Sequence, residues 1–148
     1  MPRIARTSTS FSSRSGPNLE AVHHAGSRGL AAWQCRSVVV HIELNQADLI
    51  DVETLASLCR LSVSHFTRAF RTTFGSAPYS YIVRKRVDSA KTMMATTDEP
   101  LSQIALACGF SDQAHFCNHF RRLVGCSPLE WRRRRQRESA AFRGSNSN

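Results

Sequence analysis

One motif occurs twice in the chain, fifty residues apart, and no other feature restricts the possible folds as much. The first copy runs Ala56, Cys59, Ser62, His65, Phe66, Phe70, Arg71, Gly75, Pro78, and the second runs Ala105, Cys108, Ser111, His115, Phe116, Phe120, Arg121, Gly125, Pro128. From His65 to Pro78 the offset is 50 (115 − 65, 120 − 70, 128 − 78), whereas upstream it is 49 (105 − 56, 111 − 62), so one residue has been added near Asp112. Each copy has the pattern of a helix, a tight turn and a second helix. In a chain of net charge +9, such a duplication points to two heads for two grooves of one DNA duplex.

The 148 residues are expected to form one ordinary domain, with no room for a full ligand-sensing domain beside the duplicated unit. All but Lys85 and Lys91 of the 20 basic residues are arginine, whose planar fork suits phosphate and guanine edges. A polyanionic partner is favoured over a merely solubilising surface. Five cysteines, at 35, 59, 108, 117 and 126, form no C-x-x-C pair and leave an odd thiol, which fits neither a disulfide framework nor a zinc knuckle and implies a reducing cytoplasm. No apolar stretch approaches the ~20 residues of a membrane span. The Ser- and Arg-rich start lacks the clear apolar face of an organelle transit peptide.

Residues 1–32 are too polar to offset the entropy of ordering, and a disordered basic arm, or the remnant of a longer neighbour, is expected there. From Trp33, Cys35, Val38, Val39 and Ile42 recur at helical spacing. Asp51 is a cap for the next helix, with Val52, Leu55, Ala56 and Leu58 on its buried side, and Ser62 caps a third. Phe66, Ala69, Phe70 and Phe74 make the stripe of that helix, and Gly75 ends it. Ile82, Val83, Val87, Ala90 and Met94 mark an amphipathic connector from Pro78 to about Thr96, roughly 27 Å long against the ~34 Å between successive major grooves. In the second copy either Ser111 or Asp112 is the cap, and Phe116, Phe120 and Leu123 form the core stripe. Thus the first helix-turn-helix spans about 51–75, the linker about 78–96 and the second helix-turn-helix about 101–125, within a domain of 33–133. Residues 134–148 are expected to be a disordered Arg-rich tail.

Several sharp alternatives weaken on inspection. His115 and His119 share a helical face, but Cys117 faces away and no fourth ligand is near, so no metal site is expected. Cys59 and Cys108 are small core residues at equivalent turns rather than redox sensors. The phenylalanines belong under the recognition helices, not on a base-stacking platform. Tyr81 and Trp131, each three after the repeat's proline, are packing anchors. The sequence has no nucleophile elbow, phosphate-cradling glycine loop or paired acids, which argues against an enzyme and leaves no catalytic residue or cofactor to assign.

With these residues in place, the stretches LASLCRLSVSHFTRAFRTTFGSAPYSYI, KRVDSAKTMM and LSQIALACGFSDQAHFCNHFRRLVGCSPLEWRR resemble the DNA-binding region of the AraC/XylS family of bacterial transcription regulators. The likeness runs from about Gly29 to Arg133, and the second unit's I-A-x-x-x-G-F-S-D-x-x-x-F-x-x-x-F-[RK]-x-x-x-G-x-[ST]-P spacing is its most specific part. It implies an all-α fold of about seven helices, with two helix-turn-helix subdomains joined by a long linker helix. Members usually carry a separate sensing and dimerisation domain, which this sequence lacks, so a stand-alone short form is expected.

By position, the resemblance assigns base contacts to Ser64, Thr67 and Arg68 in the first unit and to Gln113, Ala114, His115 and Asn118 in the second. The chemistry agrees for Arg68, Gln113 and Asn118, which can pair bidentately with guanine or adenine. Asn118 departs from the family, which often has arginine there, as the first copy does at Arg68 (118 − 50 = 68). Phosphate contacts fall to Ser62, Arg71, Ser111, Arg121 and Arg122. The expected function is a sequence-specific, double-stranded-DNA-binding transcription regulator, an activator working with RNA polymerase in the cytoplasm at the bacterial nucleoid, away from membranes and as a monomer on DNA. The alternative is a non-specific architectural DNA-binding protein or the remnant of a longer regulator.

Overall fold

The computed structural model describes residues 28–145, so most of the expected N-terminal arm, up to residue 27, lies outside the described residues. Among these there are seven helices and no strand: α1 (Ala32–Leu44), α2 (Val52–Leu58), α3 (Val63–Phe74), α4 (Pro78–Thr96), α5 (Leu101–Ala107), α6 (Gln113–Val124) and α7 (Pro128–Ser145). The all-α fold with two helix-turn-helix units on a linker helix is therefore the one expected.

Local chemistry sets most helix ends. Asp51 opens α2, its Oδ1 accepting from the Thr54 amide at 2.6 Å and its Oδ2 from the Thr54 hydroxyl at 2.9 Å. Ser62 opens α3 by accepting from the His65 amide at 3.2 Å. Asp112, not Ser111, caps α6, accepting from the His115 amide at 2.7 Å. Gly75 (φ 73°) and Gly125 (φ 87°) close α3 and α6 in the left-handed conformation, where a side chain is disfavoured. Pro78 and Pro128 then begin α4 and α7, at a position whose missing N–H breaks no helical bond.

Two cores result, and α4 belongs to both. Cys35, Val38 and Ile42 of α1, Leu55 and Ala56 of α2, and Phe66, Ala69 and Phe70 of α3 close on Tyr81 and Ile82 at the start of α4. One residue further on, Val83, Val87, Ala90 and Met94 face the second core, with Ile104, Ala105, Phe110, Phe116 and Phe120. The aromatic packing repeats. Phe70 meets Tyr81 edge-on with centroids 5.5 Å apart, and Phe120 meets Trp131 edge-on at 6.2 Å. Each buried phenylalanine contributes about 1.5–3 kcal/mol of transfer free energy, so these stripes dominate the stability of their units.

Three sequence expectations are corrected. Leu58 and Leu123 are 39% and 44% exposed rather than core. In α6 the half-buried position falls to Val124, the repeat partner of Phe74 (124 − 50 = 74), because the helix phase moves the inward side one residue on. The segment from residue 134 to Ser145 is helical instead of disordered. Arginine, glutamine, glutamate and alanine are good helix formers, and Glu130–Arg134 (2.5 Å) and Arg135–Glu138 (3.4 Å) pair along the helix surface.

Candidate nucleic-acid interface

The turn between α2 and α3 and the turn between α5 and α6 place the second helix of each unit over its phenylalanine core, leaving the opposite face to solvent. On α3 that face carries Ser64, Arg68 and Arg71, one helical turn apart and exposed, with Thr67 half-buried beside them. On α6 the matching positions are Ala114, Asn118 and Arg121, exposed as well, with Gln113 and Arg122 alongside. Neither helix contains an acidic residue. Among the described residues, the side chains of Arg68, Arg71, Gln113, Asn118, Arg121 and Arg122 have no hydrogen-bond or ion-pair partner within the protein, so their donors are available to a ligand.

The polar residues at the helix starts are already engaged, and differently in the two units. Ser62 uses one lone pair on the His65 amide and keeps its O–H free to donate. The Ser111 hydroxyl lies 3.1 Å from Nδ1 of His115. His115 is half-buried, edge-on to Phe110 at 5.6 Å, and its Nε2 is 3.0 Å from Nε2 of His119. Both ring nitrogens of His115 are thus taken up within the unit, whereas its repeat partner His65 is exposed. Burial, then the neighbouring His115 and Arg122, hold the His119 pKa below the ordinary histidine value, which keeps that imidazole neutral near pH 7. The structure therefore places His115 as a brace for the second turn.

The thiols at the equivalent turns are sequestered. Cys59 and Cys108 are both 1% exposed, and burial raises both pKa values, that of Cys59 to about 11. Little thiolate forms at neutral pH, which suits packing and not redox chemistry. Among the described residues, no group of three or more His, Cys, Asp or Glu side chains is placed to hold a metal ion, and no helix is long and apolar enough to cross a membrane.

Sequence reasoning missed two polar connections. Gln34 on α1 accepts from the Ala31 amide at 2.8 Å and donates to the Cys59 carbonyl at 2.8 Å, tying the start of α1 to the end of α2. Arg86 on α4 is 8% exposed and donates to the carbonyls of Gln46 and Asp48, beyond the end of α1. Its signal was present in the sequence: a charged residue at the position where the apolar stripe Ile82, Val83, Val87, Ala90 requires another inward side chain.

Two helix-turn-helix units on one linker helix, with unpaired arginine, glutamine and asparagine side chains on acid-free second helices, define a double-headed DNA-binding fold. The chain belongs to the helix-turn-helix domain family of the AraC type: the family description "Helix-turn-helix domain" matches residues 55–134. It is 42% identical over 91 residues to the probable transcriptional regulator LumQ of Photobacterium leiognathi, covering 62% of this chain and 37% of that protein. It is 35% identical over 94 residues to the transcriptional activator RhaS of an Enterobacter species, covering 64% of this chain and 34% of RhaS. The matched region thus spans about a third of these curated relatives. Among solved structures, the DNA-binding domain of the global transcriptional factor AdpA, in complex with a target DNA, superposes with a TM-score of 0.63 at 32% identity, covering 77% of this chain and 96% of that one. An AraC-type regulator from Chromobacterium violaceum superposes at 0.65 with 27% identity, covering 69% and 91%.

Proposed function

We propose that this protein is a sequence-specific transcription regulator that inserts α3 and α6 into successive major grooves of one promoter site. The observation that carries this reading is the pair of exposed, acid-free helices whose arginine and amide side chains are left without protein partners. Arg68 pairs with a guanine edge, and Gln113 and Asn118 pair with adenine edges. Ser64, Thr67 and Ala114 supply short contacts beside them, while His115 shapes the second head from behind. Arg71, Arg121 and Arg122, with the free hydroxyl of Ser62, hold phosphates and fix the register. Ser111, whose hydroxyl and backbone amide both face His115 Nδ1, takes a lesser phosphate contact at the second head. AdpA's target-DNA complex and the activator designation of RhaS support DNA binding and transcriptional regulation, and on this reading the protein works beside RNA polymerase in the bacterial cytoplasm. The two reading faces differ, so the site is asymmetric and one monomer fills it.

The exposed arginines of α7 favour a second reading, in which charge alone holds the protein on any duplex. Selection of bound duplexes from a random ~30 base-pair pool at physiological salt separates the two. An enriched asymmetric motif with two blocks about one helical turn apart is expected. Retained binding without enrichment would establish the charge-driven coater instead.

A further inference from the structure

The two heads sit on one helix, yet a helix alone does not hold its end groups at a fixed angle. Outside α4, the helices of one unit do not pack extensively on those of the other. Among the described residues, a polar junction beside α4 joins the units. There the Arg86 guanidinium donates from Nε to the Gln46 carbonyl at 3.0 Å and from Nη2 to the Asp48 carbonyl at 2.7 Å, and Ser89 bonds the Gln46 side chain. No carboxylate pairs with this buried cation among the described residues. Its partners are main-chain carbonyls just past the C-terminus of α1, the end at which the helix dipole favours positive charge.

Gly109, in the turn of the second unit, closes the junction from the other side. A Cβ built there would lie 2.2 Å from the Gln46 carbonyl oxygen and 2.8 Å from Nε of Arg86. The repeat provides a control on what this glycine is for. Its partner in the first unit is Arg60 (109 − 49 = 60), which adopts the same left-handed conformation (φ 56° against 82°) while carrying a full side chain. Backbone conformation therefore does not by itself demand glycine at this turn. What demands it is the first unit's loop lying against the second unit's backbone. Gly75 and Gly125 are left-handed too, but a Cβ at either would meet nothing within 4 Å.

We propose that the Arg86–Gln46–Gly109 junction sets the distance and rotational phase between α3 and α6, and so determines the spacing between half-sites that the protein accepts. Arg86 and Gly109 are positioning residues that touch no base. The proposal rests on the two-groove reading above, and its test has one arm that does not.

In the first arm, spin labels are placed on cysteines introduced at Arg71 and Arg121, in a background with Cys117→Ser and Cys126→Ser, and the label-to-label distance distribution is measured. It should be narrow in the parent protein, broadened or shifted by Arg86→Lys and by Gly109→Ala, and unmoved by Gly125→Ala, which strains a left-handed turn away from the junction. Distances unchanged in both Arg86→Lys and Gly109→Ala would overturn the proposal whatever the DNA shows. In the second arm, affinity is measured on the selected site with its spacer altered by one or two base pairs. The parent should lose ~30-fold or more per altered base pair and the two junction variants less than ~5-fold, with affinity for the best spacing within ~5-fold of the parent. Equal spacing penalties in parent and variants would overturn the link to half-site choice. A narrow parent distribution without any selectable site would overturn the two-groove reading and this spacing role with it. Ser89→Ala, a milder loosening, should give the same changes at smaller amplitude.

Discussion

The two helix-turn-helix units share a motif and a core but not a DNA-facing chemistry. In the first, a serine caps α3 with its hydroxyl proton free, His65 is exposed, and Arg68 stands unpaired one turn on. In the second, the added residue makes Asp112 the cap, which sets a carboxylate at the end of α6 that would otherwise attract a phosphate, while Ser111 and His119 hold His115. Asn118 stands where the first unit has Arg68. The two units thus differ at the start and middle of the second helix, a free hydroxyl and an arginine in the first against an acidic cap and an amide in the second. Duplication conserved what the core needs and left the outer face free to diverge, because the phenylalanine stripe and the reading face occupy opposite sides of one helix.

The sharpest way to break the comparison is through the cores. Phe70→Ala and Phe120→Ala should each cost about 3–5 kcal/mol, similar in the two units. Because α4 contributes to both cores, unfolding in urea followed by the fluorescence of Trp33, on α1, and Trp131, on α7, should remain one transition. Two separated midpoints would show that the units are independent beads on a rod.

Next come the reading positions. Arg68→Ala should lose about 1–3 kcal/mol at its cognate base and less on random DNA, whereas Arg121→Ala should weaken all sequences alike and lower the salt slope by about one. Asn118→Arg should make the second head resemble the first, moving the preference at one position of a selected motif from adenine to guanine. Equal losses on specific and random DNA for Arg68→Ala would remove it from the base-reading set.

The cap exchange is smaller. Asp112→Ser should tighten DNA binding and Ser62→Asp weaken it, each by about 0.3–1 kcal/mol at low salt and fading as salt rises. If both changes act in the same direction, no asymmetry in grip arises at the caps.

Smallest is a pH effect confined to the second unit. His119 titrates below its ordinary value in the fold, so the unfolded chain binds its proton more readily. Stability is then complete above about pH 6.5, the free histidine value, and falls as pH drops through the depressed folded value. His119→Gln should flatten the thermal-midpoint profile in that window. An unchanged slope would place the acid sensitivity elsewhere.

What was legible in the chain was whatever its chemistry expresses within one or two helical turns. Asp51, Ser62, Gly75 and Pro78 announce helix boundaries because a cap, a left-handed turn and a missing N–H act on neighbours only. The α7 extension is legible in principle, since Glu130 and Arg134 stand one turn apart, but a run of arginines carries the signature of a charged tail as much as that of a helix. The exposure of Leu123 differs from the expectation by one residue of helix phase, since the half-buried position is Val124, the repeat partner of Phe74.

Sequence alone determined the duplication, the all-α class, both phenylalanine cores and the candidate reading faces, because periodic burial and local hydrogen bonding are written in residue spacing. Only the tertiary structure decided how the two heads are set against each other. Arg86 lies 40 residues from the Gln46 carbonyl that it bonds, and Gly109 is required by a backbone from the other unit. The apolar stripe marks Arg86 as inward, but nothing local at either residue names its partner; the contact exists only once α4 has brought the two units together.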